Sequence, residues 1–182
     1  MSILNTTDTA ILIIDIQEKL LNAIFNKETV AKKSEILAKA TNILGIQAFV
    51  TEQYPQGLGQ TVELIKANLN QNTQFYEKTA FNALCDENLY NNLKELNIKN
   101  LIVTGIETHI CVHQTVDALI EKGFNVTIAK DCCGSRFEYE YESALKVMSQ
   151  NGANIKTTEM ILFELLKSAK HPDFKAIQSL IK

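Results

Sequence analysis

Short apolar runs and helix-period segments alternate along this chain, and that alternation restricts its fold more than any other feature. Candidate strands are Ala10 to Asp15, Ile46 to Val50, Gln74 to Lys78, Asn100 to Thr104, Asn125 to Lys130 and Asn154 to Thr157. Each is short, and most are rich in Ile, Val or Phe. Between the first two, Val30, Ile36, Leu37, Ala40, Ile43 and Leu44 fall in one stripe on a helical wheel, with Gly45 placed as a C-terminal cap. Further helices are expected at about Thr61 to Leu69, Asp86 to Leu96, Thr108 to Lys122, Glu138 to Asn151 and Thr158 to Lys167. A last one follows Pro172, where Phe174, Ile177, Leu180 and Ile181 share a face. Strand, helix, strand in repetition means parallel strands joined by crossover helices, and a run as apolar as Ala10 to Ile14 means a sheet covered on both faces. The fold class is therefore α/β: a three-layer α/β/α sandwich around six parallel strands.

Nothing divides the 182 residues: there is no internal repeat, and the two prolines, Pro55 and Pro172, mark local turns. A single domain over 1–182 is expected. Eighteen basic residues against twenty-one acidic ones leave a net charge of −3, and Arg136 is the only arginine. A bidentate phosphate-reading surface cannot be built from one arginine, so no nucleic-acid partner is expected. The longest apolar run near the start is Ala10 to Ile14, and Met1 to Asp8 has no basic n-region, so neither a membrane span nor export is expected and the location reads as cytoplasmic. The four cysteines, Cys85, Cys111, Cys132 and Cys133, have no C-x-x-C spacing and read as free thiols.

In doubly wound sheets ligands bind beyond the carboxyl ends of the strands. Strand one delivers Asp15 and Gln17 there, strand three Glu77 and Lys78, strand four Glu107, Thr108, His109 and Cys111 through Gly105, and strand five Lys130 and Asp131. An acid, a lysine and a cysteine at one rim suit nucleophilic catalysis: the thiol attacks, the carboxylate takes its proton and the ammonium stabilises the ion pair. Thr108 is a plausible N-cap, which would put Cys111 in the first helical turn, where the dipole lowers a thiol's pKa and makes it the most reactive of the four. On spacing alone the bland reading leads: Cys111 as one more buried small hydrophobe, and Asp15 as a strand-end residue capping a helix.

The stretches Ile13-Ile14-Asp15-Ile16-Gln17, Glu77-Lys78-Thr79-Ala80-Phe81 and Gly105-Ile106-Glu107-Thr108-His109-Ile110-Cys111-Val112 resemble the three signature segments of the isochorismatase-like cysteine hydrolase superfamily, in the same order. The resemblance covers nearly the whole chain. It implies a sheet order 3-2-1-4-5-6, an Asp15, Lys78 and Cys111 triad, and a thioester acyl-enzyme that water hydrolyses. It also implies a cis Ile106–Glu107 peptide, with the Glu107 and Cys111 amides aimed at an oxyanion. The expected substrate is a small molecule with an amide or related C–N bond, and the expected assembly a homo-oligomer, dimer or tetramer. Gln17, Gln53, Tyr54, Phe81, Thr108 and His109 are expected to wall the substrate pocket.

True isochorismatases lack the cysteine nucleophile, so Cys111 points to the amidase-like branch. Nicotinamidases carry an Asp-x-His metal motif after strand two. Here that region reads Thr51-Glu52-Gln53-Tyr54-Pro55, without histidine. His109 and His113 have no third ligand spaced to help, so neither metal nor other cofactor is expected. Arg136 is expected to pair with Glu138 or Glu140. Two alternatives stand beside the hydrolase: an inactive oligomeric scaffold or regulator of the same fold, and a thiol redox protein in which Cys132 or Cys133 resolves Cys111.

Overall fold

β1 (Thr9–Ile14) is buried along its whole length, the burial that its unbroken TAILII sequence requires. The computed structural model describes residues 4–182, so the first residues of the Met1 to Asp8 stretch lie outside the described residues. After β1 come α1 (Glu18–Ala23), α2 (Lys27–Leu44), β2 (Gln47–Gln53), α3 (Pro55–Leu58), α4 (Glu63–Lys66), β3 (Gln74–Lys78) and α5 (Glu87–Glu95). The second half comprises β4 (Asn100–Ile106), α6 (His113–Glu121), β5 (Asn125–Gly134), α7 (Glu138–Gln150), β6 (Asn154–Lys156), α8 (Thr158–Leu166) and α9 (Phe174–Ile181). All five strand pairings are parallel, in the order β3-β2-β1-β4-β5-β6, as expected.

The two sheet faces carry separate cores. Ile11 and Ile13 of β1 pack with Val30, Ile36 and Leu37 of α2, with α8 and with Ile177 of α9. Ala10, Leu12 and Ile14 pack with Leu89 and Leu93 of α5, Val116 and Leu119 of α6, and Met148 of α7. The alternation of side chains along a strand divides them this way. α2 ends at Gly45, whose left-handed φ of 64° lets its N–H donate to the Thr41 carbonyl.

Three expectations need correction. The helix predicted over Thr61 to Leu69 shrinks to α4, Glu63–Lys66. β2 and β5 run further than predicted, to Gln53 and Gly134. The helix predicted from Thr108 opens with a π-type turn, Thr108–Val112, before α6. Thr108 does not cap it: the N-cap position is Glu107, whose side chain makes no capping bond to the turn, and among the described residues the buried Thr108 hydroxyl has no partner.

The join between β1 and β4 builds the site. Gly105 lies opposite Ile14, and a Cβ there would sit 2.2 Å from the Ile14 carbonyl oxygen and 2.7 Å from its Cβ. Gly105 also has a φ of 147°. No side chain fits, and glycine lets the strand that leads to Cys111 approach the strand that ends in Asp15.

Candidate active site

Alternation along β1 would send Asp15 to the α2 side with Ile11 and Ile13. Asp15 instead has a φ of 53°, a left-handed conformation that Asp adopts more readily than most residues, and its carboxylate turns to the other face. There it meets Thr51 of β2 and Lys78 of β3. Thr51 Oγ1 donates to Asp15 Oδ1 at 2.6 Å and Lys78 Nζ to Asp15 Oδ2 at 2.6 Å. The ammonium gives its other two protons to Gln53 Oε1 at 2.7 Å and to the Ala80 carbonyl at 3.3 Å, so its three donors have three acceptors. Asp15, Thr51 and Lys78 are all buried.

Cys111 comes from the π-type turn after β4. It is 6% exposed, and its thiol interacts with both the Asp15 carboxylate and the Lys78 ammonium. Three side chains from distant parts of the chain thus converge at the rim. The thiol is not the low-pKa group that the helix-dipole argument predicts. Burial pushes it up to about 12, the neighbouring Asp15 charge adds to that, and Lys78 opposes it. Cys111 therefore rests as S–H beside a carboxylate that can take its proton.

The turn that carries the thiol is tied down from several sides. The Ile106–Glu107 peptide is cis. The amides on either side of Cys111, those of Ile110 and Val112, both donate to the Glu107 carbonyl. The Glu107 carboxylate accepts from Arg136 Nε at 3.2 and 3.1 Å and from the Arg136 amide at 2.8 Å. Arg136 thus pairs with Glu107 and not with Glu138 or Glu140 as predicted, because β5 continues to Gly134 and sets the next loop over the turn. His109 Nδ1 lies 3.0 Å from Ser135 Oγ in the same loop.

Two cavities flank β3. One, of about 280 Å³, is walled by Tyr54, Pro55, Gln56, Glu77, Lys78 and Thr79; the other, of about 350 Å³, by Glu77 to Ala80 with Cys85 and Asp86 among the rest. Cys111 lines neither. Among the described residues no group of three or more His, Cys, Asp or Glu is placed to hold a metal, and no helix is long and apolar enough to cross a membrane.

The sequence model of the isochorismatase domain matches residues 9–160. The chain belongs to the isochorismatase family. Isochorismatase family protein 1A of Dictyostelium discoideum is 40% identical over 178 residues, 96% of this chain and 86% of that protein. The structure of MAR1 ribonuclease from Caenorhabditis elegans has a TM-score of 0.95 at 38% identity, covering 99% of this chain and 92% of that one. The YcaC gene product of Escherichia coli, an octameric hydrolase of unknown specificity, has a TM-score of 0.87 at 24% identity over 97% of this chain and 94% of its own, a likeness of fold.

Within this isochorismatase-family fold the predicted pocket residues divide. Tyr54 is exposed and walls one of the two cavities. Gln17 does not: it is fully buried, donating to the Gln53 and Gly59 carbonyls and accepting from the Gln53 amide. The Gln53 side chain is likewise engaged, with Lys78 and with the Thr79 carbonyl. Phe81 is about half exposed and lines neither cavity. Thr108 is buried, and His109 is held against Ser135 at the start of the turn. Sequence reading missed Thr51 altogether. Its signal was a polar residue two positions before Gln53, hence on the same face of a strand that runs on past Val50.

Proposed function

We propose that this isochorismatase-family protein is a cysteine hydrolase acting on a small amide or related C–N bond, with Cys111 as nucleophile, Asp15 as base and Lys78 as the ion-pair partner. The observation that carries the reading is the burial of a thiol against a carboxylate that is already charge-paired. Cys111 Sγ adds to the carbonyl carbon as its proton passes to Asp15, and the developing oxyanion takes the Glu107 and Cys111 amides. Collapse breaks the C–N bond, the amine leaves with the proton from Asp15, and water hydrolyses the thioester to the acid. The raised thiol pKa fits this order, in which the proton passes to Asp15 as sulfur attacks rather than beforehand.

The alternatives draw less support. Cys132 and Cys133 are fully buried and burial pushes both thiols up, which is poor placement for a resolving thiol. The name of the Caenorhabditis elegans relative suggests RNA as a substrate, yet the one arginine here is committed to Glu107 and the net charge is −3. An inactive scaffold would not need to keep a buried Asp15–Lys78 pair. We infer a homo-oligomer, dimer or tetramer, from the exposed stacked pair Phe137 and Tyr139; the YcaC product of similar fold is itself oligomeric, an octamer. The location inferred is the cytoplasm.

The test is turnover of a panel of small amides, with an RNA oligonucleotide in parallel, by wild type and Cys111→Ala. Amide hydrolysis lost in Cys111→Ala and insensitive to EDTA is expected, with a thioester at Cys111 in the mass spectrum of acid-quenched protein. Turnover that Cys111→Ala retains, or that EDTA abolishes and zinc restores, overturns the reading.

A further inference from the structure

Asp15 directly follows β1 and Lys78 ends β3, two strands that are not neighbours. β2 lies between β1 and β3, so the ion pair has to form across the face of β2. Thr51 and Gln53 are two residues apart on that strand and therefore share the face beneath the pair. Each holds one end of it: Thr51 Oγ1 donates to Asp15 Oδ1 at 2.6 Å, and Gln53 Oε1 accepts from Lys78 Nζ at 2.7 Å. The backbone adds a third tie, the Asp15 amide donating to the Thr51 carbonyl at 3.1 Å. Gln53 is itself anchored, its amide and carbonyl by Gln17 and its side-chain N–H by the Thr79 carbonyl.

We propose that Thr51 and Gln53 are positioning residues for the Asp15–Lys78 pair, and that the Thr51 hydroxyl fixes the carboxylate so that it faces the Cys111 thiol. The inference rests on Cys111 being the nucleophile and Asp15 its base. A carboxylate at the end of a strand can rotate about its Cβ–Cγ bond, and an unrestrained Asp15 would turn both oxygens toward the ammonium. The buried hydroxyl occupies one oxygen, opposes that rotation and leaves the carboxylate oriented toward sulfur. Gln53 acts at the other end, since an ammonium with all three protons assigned cannot swing from Asp15 toward the cavity side of β3. Both act through Asp15 and Lys78, not on the thiol or the substrate.

The experiment reads alkylation of Cys111 by iodoacetamide, followed by peptide mass spectrometry, in a Cys85→Ser background that removes the exposed thiol. Thr51→Val keeps the shape and removes the hydroxyl; Thr51→Ser keeps the hydroxyl. At about pH 7, Thr51→Val is expected to slow Cys111 about tenfold, the scale of one hydrogen bond to a charged group, and Thr51→Ser to stay within about twofold of the parent. The loss should shrink toward about pH 10, where hydroxide replaces Asp15 as the proton acceptor, a pH dependence that a merely loosened fold would not produce. Should Thr51→Val lack the native circular dichroism spectrum, Gln53→Met carries the same test with the same expected slowing. If Thr51→Val or a folded Gln53→Met alkylates like the parent while Asp15→Asn is slow, the positioning role is overturned and the nucleophile assignment stands. If Asp15→Asn also alkylates like the parent, the assignment of base and nucleophile fails, and the positioning role with it.

Discussion

The ammonium of Lys78 lies 2.6 Å from Asp15 Oδ2, although the strands that carry them never pair. Both groups are buried, so each charge depends on the other. Lys78→Met should leave the carboxylate uncompensated and destabilise the protein by about 3 to 5 kcal/mol in urea unfolding. It should also push the Cys111 thiol further up, because Lys78 is the charge that opposes its rise. In the double variant Asp15→Asn with Lys78→Met, part of the stability should return while Cys111 stays unreactive. Full independence of the two single effects would mean that the pair does not form in solution.

Gly105 makes a different kind of contribution. A methyl group at that position meets the Ile14 carbonyl at 2.2 Å, and the φ of 147° disfavours any side chain as well. Gly105→Ala should lose about 2 kcal/mol or more, the upper range for overpacking with backbone strain added. Because the same contact sets Cys111 beside Asp15, iodoacetamide labelling of Cys111 should slow in protein that is still folded. Native stability with unchanged labelling would show that β1 and β4 tolerate a wider separation.

Arg136 tests whether the loop after β5 steadies the nucleophile turn. Its side chain is 54% exposed, so loss of the ion pair to Glu107 should alter stability by less than about 1 kcal/mol. The Glu107 carboxylate also accepts the Arg136 amide, which Arg136→Gln preserves. The expected signature is therefore a nearly unchanged melting temperature with slower thioester formation at Cys111. A large stability loss would make the pair a fold determinant.

The sheet, its order and the convergence of Asp15, Lys78 and Cys111 were legible because apolar runs fix strands and the three signature segments fix their ends. What was not legible depends on geometry that a residue string does not carry. Alternation along β1 points Asp15 away from the site, and only its left-handed backbone reverses that. The thiol's raised pKa reflects burial, which outweighs the helix-terminus effect that position alone suggests. Gln17 and Gln53 looked like pocket walls because they sit at the rim, yet carbonyls and an ammonium had already claimed their amides. Arg136 went to Glu107 because β5 outlasts its apolar stretch and carries the loop across the turn.

The buried thiols make a prediction about alkaline stability. Burial pushes Cys111 and Cys133 up to about 12, against an ordinary value of 9.0, and Cys132 moves in the same direction. A thiol whose pKa is higher in the folded state stays protonated there while its unfolded counterpart ionises. Its contribution is whole below about pH 9 and is lost as the pH rises from there toward the folded value. At about pH 10 each such thiol should remove about 1 kcal/mol of stability, one pH unit above the unfolded pKa. Urea unfolding of wild type at about pH 8 and pH 10 should show this loss, and Cys133→Ala should show less of it. Its stability at pH 8 will be lower because a packed sulfur is gone, so the quantity to compare is the drop between the two pH values. An identical drop in wild type and Cys133→Ala would mean that Cys133 ionises as readily in the fold as in the open chain.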